Sequence, residues 1–151
     1  MGPVTRILVD ADACPVKAII LRLAKQRCIP VTMVIDTLHE LDDGYSTVIT
    51  VDKGADSADY AIAGMATCND IVVTQDYGLA ALILARGASV LDQNGMIYTN
   101  ENIDNLLERR YIGQKIRRGG GRTKGPKKRT REDDERFEAA FVKILECNIA
   151  V

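Results

Sequence analysis

Arg6-Ile-Leu-Val-Asp-Ala-Asp-Ala-Cys-Pro15 sets a short apolar run against two aspartates and then a proline. An apolar run of this length, closed by polar residues, reads as a strand buried on both faces, and Pro15 suits the opening of a helix. Val16, Ile19, Ile20, Leu23 and Ala24 then fall on one side at helical spacing, which makes the segment a βα unit.

The same period recurs downstream. Val31-Thr-Met-Val-Ile-Asp36 and Thr47-Val-Ile-Thr-Val-Asp52 read as strands, joined by a polar loop over residues 37–46 in which no helix fits. A helix from 57 to about 68 presents Ala58, Ile62 and Met65 inward, and the strand Ile71-Val-Val-Thr74 follows. The helix after Asp76 carries Leu79, Leu82 and Ile83 to the core and stops near Gly87; Ser89-Val-Leu91 is a last short strand. The next helix runs from Glu101 to about Tyr111, capped by Asn100 or Thr99. Strands alternating with helices imply an open parallel α/β sheet with helices on both faces, in the doubly wound strand order 3-2-1-4-5.

Composition fits one main domain. Of the 151 residues 46% are apolar, few are aromatic and none is Trp, which suits a core of Val, Ile, Leu and Ala. No apolar stretch is long enough for a bilayer, and the start shows no signal-peptide pattern, so the expectation is a soluble, cytoplasmic protein without membrane contact. Four scattered cysteines and the lone His39 suggest neither a zinc site nor a disulfide framework. The composition leaves the oligomeric state open.

The near-neutral total hides an asymmetry: net −8 over residues 1–108, +11 over 109–131 and −4 over 132–151. Three parts follow: an α/β domain over 1–112, a basic, glycine-rich strap over 113–131, and a C-terminal helix over 132–151. In that helix Phe137, Ala140, Phe141, Ile144 and Leu145 form an apolar stripe, so it is expected to pack on the domain and anchor the strap. Thr130-Arg-Glu-Asp133 has the form of a capping arrangement at its head.

Five acids occupy places that this topology brings together. Asp10 and Asp12 follow the first strand, Asp76 follows the fourth, and Asp56 and Asp59 lie three apart near a helix start. Ligands of open α/β sheets bind outside the carboxyl ends of strands where the strand order reverses, here between strands 1 and 4. Converging carboxylates there suit Mg²⁺ or Mn²⁺, which favour carboxylate oxygen and water and can activate water against a phosphodiester. Arg117, Arg118, Arg122, Lys124, Lys127, Lys128 and Arg129 form a dense basic surface with little aromatic interleaving, suited to a nucleic-acid backbone. Cys14 reads as a small residue ahead of a helix.

Each feature has a plainer reading. An aspartate often ends a strand or caps a helix, and a basic strap can pair with the domain's own acidic face. The spacing of Asp10 and Asp12 also fits a phosphatase of the haloacid-dehalogenase type, with Asp10 as nucleophile and Thr74 in the second motif, yet no lysine occurs in residues 75–114.

The motifs Ile7-Leu-Val-Asp-Ala-Asp-Ala-Cys-Pro15, Gly54-Ala-Asp-Ser-Ala-Asp-Tyr-Ala-Ile62, Asp70-Ile-Val-Val-Thr-Gln-Asp76 and Gly121-Arg-Thr-Lys-Gly-Pro-Lys127, in this order and spacing, resemble the YaiI/YqxD family of uncharacterised bacterial proteins. The resemblance covers nearly the whole chain and implies a PIN-like fold with an acidic, Mg²⁺- or Mn²⁺-dependent nuclease site. By it Asp10, Asp59 and Asp76 take the catalytic places, with Asp12 and Asp56 as supplementary metal ligands. Asp36, the Asp42-Asp43 pair, Tyr77-Gly78 and Arg129 depart from the family pattern, at the crevice entrance and in the strap. The implied activity is nuclease action, with RNA as expected partner; a noncatalytic nucleic-acid-binding or ribosome-associated module is the alternative.

Overall fold

In β1 (Ile7–Asp10), Ile7 and Val9 point to one side and Leu8 to the other, and all three are fully buried. Both faces of this strand must therefore be covered, which only a central strand of a layered α/β sheet provides. The computed structural model describes residues 6–12, 14–36, 42–52, 57–118 and 128–149, with the backbone alone at 110, 111, 113–118, 148 and 149.

Along the chain β1 is followed by α1 (Lys17–Gln26), β2 (Val31–Asp36), β3 (Thr47–Val51), α2 (Ser57–Met65), β4 (Ile71–Val73), α3 (Tyr77–Ala85), β5 (Ser89–Leu91), α4 (Asn100–Arg118) and α5 (Arg131–Ile149). The five strands form one sheet in the order β3-β2-β1-β4-β5, with all pairings parallel. Val9 stands opposite Met33 on one side and Val73 on the other.

Alternation divides the core into two layers. Val9, Met33, Val73 and Leu91 meet Ile20 and Leu23 of α1 and Phe137, Phe141 and Leu145 of α5. Leu8, Val34, Val72 and Val90 meet Ile62 of α2, Leu79 and Ile83 of α3, and Ile103 and Leu106 of α4. The apolar stripe of α5 thus finds its partner in the sheet and α1, with Phe137 and Phe141 stacked at 5.3 Å between ring centroids. Thr130 and Asp133 close the expected cap: the Thr130 N–H donates to Asp133 Oδ2 at 2.8 Å, and the Asp133 N–H to Thr130 Oγ1 at 3.3 Å.

Three boundaries differ from the periodicity. The helix heralded by Pro15 starts at Lys17, because residues 15 and 16 form a turn. α2 ends at Met65, short of 68, where Asp70 accepts the Thr67 N–H at 2.9 Å and ion-pairs with Arg6 Nε at 3.2 Å. The Arg6 guanidinium also donates to the Met65 carbonyl, so the amino ends of β1 and β4 are tied to the end of α2. α4 continues to Arg118, past Tyr111, because Arg109, Arg110, Gln114 and Lys115 favour helix although the sequence there has no apolar period.

The connection from β2 to β3 has no helix among its described residues. Asp43 accepts the N–H groups of Tyr45 and Ser46 at 2.8 and 2.6 Å, and the Tyr45 hydroxyl donates to the Ile29 carbonyl at 2.6 Å. Tyr45 packs in the α1 and α5 layer, which fixes the side on which this connection returns.

Candidate functional site at the strand-order reversal

The order reverses between β1 and β4, and the residues at their carboxyl ends face each other there. Thr74, directly after β4 and only 2% exposed, makes the link. Its hydroxyl donates to Asp10 Oδ2 at 3.0 Å and accepts the Asp76 N–H at 3.1 Å. Asp76 in turn caps α3 by accepting the Leu79 N–H at 2.9 Å. The buried Tyr98 hydroxyl donates to the Thr74 carbonyl at 3.2 Å, which locks the turn from behind. Asp12 reaches across to β2, where Oδ2 accepts the Asp36 N–H at 3.1 Å.

Burial pushes the Asp10 carboxyl above the ordinary carboxylate value; the Thr74 hydrogen bond opposes this, and the charges of Asp12 and Asp76 raise it further. Asp10, Asp12 and Asp76 therefore share one electrostatic neighbourhood. Asp59 lies in the first turn of α2, which packs on β1 and β2 from the α3 side. α2 follows the carboxyl end of β3, so this turn belongs to the same edge of the sheet. Asp56 lies outside the described residues. Among the described residues no three His, Cys, Asp or Glu side chains form a ready-made metal cage.

Cys14 is buried, and burial lifts its thiol above the usual range, which leaves it an inert packing residue. Lys17 brings a cation that the sequence pattern does not single out: its ammonium donates to the Ala11 carbonyl at 3.0 Å, between Asp10 and Asp12 in the chain. A lysine in the first turn of a helix, where the dipole disfavours it, is the available signal.

Of the basic residues, Arg117 and Arg118 are in the last turn of α4 with only their backbone described, and Arg122, Lys124 and Lys127 lie outside the described residues. Lys128 is exposed and lines a cleft of about 470 Å³ with Gln93, Asn94, Arg129, Thr130, Asp133 and Arg136. The Arg129 guanidinium is engaged within the protein: Nε donates to Asp134 Oδ1 at 2.7 Å, Nη1 to Asn94 Oδ1 at 2.8 Å and Nη2 to the Gln93 carbonyl at 2.8 Å. No helix among the described residues is long and apolar enough to cross a membrane.

The family model of uncharacterised bacterial proteins known as YaiI/YqxD matches residues 8–147. A UPF0178 protein of Ruminiclostridium cellulolyticum is 61% identical over 140 residues, covering 93% of this chain and 92% of the relative. UPF0178 proteins of Exiguobacterium sibiricum and Clostridium acetobutylicum are 53% and 49% identical, each over 93% of this chain and 96% of the relative. No solved structure matches the chain.

Proposed function

The chain belongs to the uncharacterised YaiI/YqxD family, and we propose that it is a Mg²⁺- or Mn²⁺-dependent hydrolase of nucleic-acid phosphodiesters, RNA foremost. One observation carries the reading. A half-buried Asp10, held by Thr74 where the strand order reverses, is crowded by the charges of Asp12 and Asp76. Crowded carboxylates in a partly desolvated crevice favour a cation that relieves their repulsion.

The donor set fits a hard divalent ion. Mg²⁺ keeps several waters and is often held by one or two carboxylates together with substrate phosphates, so a protein cage of three ligands is not required. Asp10 and Asp76 would hold the ion, with Asp59 and Asp12 as further oxygen donors and Asp56 beyond the described residues. Bound there, it would stabilise charge on the phosphoryl oxygens and make its water more acidic. Thr74 sets the orientation of Asp10, Asp76 is steadied by its capping bond, and Lys17 adds positive charge at the rim. The basic residues 117–128 would take the nucleic-acid backbone.

A labelled single-stranded RNA incubated with Mn²⁺ tests the reading. Cleavage is expected in the parent protein and a loss of at least roughly a hundredfold in Asp10→Asn, the scale set by removing one electrostatic partner of a transition state. Unchanged cleavage in Asp10→Asn, or RNA binding with no cleavage under any divalent ion, would favour the noncatalytic module instead. The hydrogen bond from Thr74 to Asp10 also suits the phosphatase reading, in which Asp10 attacks phosphorus. An aspartyl-phosphate or beryllofluoride adduct on Asp10 would establish that chemistry in place of hydrolysis by metal-bound water.

A further inference from the structure

We propose that Arg129 is a positioning residue that seats the end of the basic segment beside the acidic crevice, so that one single strand of nucleic acid engages both. The inference rests on the hydrolase reading above and adds the residue that couples its two parts.

Arg129 is tied into the wall of the crevice. From Asp10 the path runs through the Thr74 hydroxyl to the next residue, Gln75, whose side-chain amide donates to the side-chain carbonyl of Gln93. The Gln93 main-chain carbonyl then accepts from Arg129, and Arg129 reaches Asp134 in the first turn of α5. Three donors of one planar fork are thereby placed on three acceptors, a geometry a lysine cannot reproduce.

The anchor on the α5 side is firm. Phe137, Phe141 and Leu145 are fully buried, and Gly95 lies directly against the α5 backbone: a Cβ there would stand 2.5 Å from the Arg136 carbonyl oxygen. Arg129 bonds to Gln93, two residues past the end of β5, and β5 is two strands from β1 in the sheet. The charges of both Asp10 and Arg129 are felt at Cys14. Lys128, exposed next to the clamp, offers a strand leaving the crevice a cation.

A seat of this kind makes metal and nucleic acid bind cooperatively, because one strand touches both. The test is the affinity of a fluorescent phosphorothioate single strand, chosen to resist hydrolysis, measured by anisotropy with Mn²⁺ and with EDTA. In the parent protein Mn²⁺ is expected to tighten binding by roughly tenfold. Arg129→Lys keeps the charge and loses the fork, so its affinity in EDTA should stay within about twofold while the Mn²⁺ effect disappears. Asn94→Ala removes one acceptor and no charge; it should retain part of the effect, and it decides the matter if Arg129→Lys does not fold. A Mn²⁺ effect of full size in both variants, whatever their melting temperatures, would reduce Arg129 to a structural clamp and overturn the proposal. If the parent protein shows no Mn²⁺ effect or binds no strand, the hydrolase reading fails and this inference falls with it.

Discussion

Substituting Gly95 by alanine tests the docking of α5 on the turn after β5 and can be scaled from the geometry. Gly95 has φ +84°, and an added Cβ would meet Arg136 O at 2.5 Å, Arg136 C at 2.8 Å and Phe137 N at 3.1 Å, all main-chain atoms of α5. Gly87 is a natural control, since its φ is +80° and its Cβ would meet only Cys68 Cβ, at 3.6 Å. Both substitutions carry the left-handed backbone cost of about 1–2 kcal/mol. Gly95→Ala adds an overlap that forces the turn away from the helix, at about 1–3 kcal/mol more. At roughly 2–4 °C per kcal/mol for a chain of this size, Gly95→Ala should melt about 2–12 °C below Gly87→Ala. Thermal denaturation of both variants in one buffer measures the difference. Equal melting temperatures would mean that α5 does not press on the turn, and the seat of Arg129 would have no such support.

Because burial raises the Asp10 pKa above its unfolded value of 3.8, the folded state binds this proton more tightly. The metal-free protein should lose stability as pH rises through the raised value, and Asp10→Asn should melt higher at pH 7 with the advantage vanishing below about pH 3; an advantage that persists at low pH contradicts the cause assigned. Mn²⁺ at 100 times its dissociation constant should stabilise the protein by about 2.7 kcal/mol, and Asp10→Asn combined with Asp76→Asn should abolish the shift in melting temperature. Neutralising Arg117, Arg118, Lys127 and Lys128 should weaken RNA binding and flatten its salt dependence by about 0.7 for each phosphate that is no longer neutralised; reduced stability with affinity intact would assign the segment to the domain's acidic face.

The sheet is legible in the sequence because its strands are short apolar runs, all but β2 followed by a polar turn and an apolar helical stripe. That period leaves few topologies once parallel crossovers are required. α4 reads short because the stretch from Arg109 to Arg118 has helix propensity and no apolar period in its sequence. The approach of Asp10 to Asp76 is legible from strand ends alone, since the reversal of strand order brings those ends together. What joins them is not. Thr74 as a bridge, the Gln75 to Gln93 link and the three bonds of Arg129 depend on side-chain reach between elements far apart in the chain, and residue types alone do not encode that pairing. In the sequence Arg129 stands out only for its charge, whereas its geometry is that of a clamp. Asp56 and the segment 119–127 lie outside the described residues, so their places in the expected site rest on the sequence.

A crystal of the protein soaked in Mn²⁺ and measured for anomalous scattering puts the acidic crevice to its most direct test. An anomalous peak is expected at the carboxyl ends of β1 and β4, with oxygens of Asp10 and Asp76 within coordinating distance. A map without a peak there, from crystals soaked well above millimolar Mn²⁺, would contradict the metal-dependent reading and leave Asp10 and Asp76 as residues that close a strand and cap a helix.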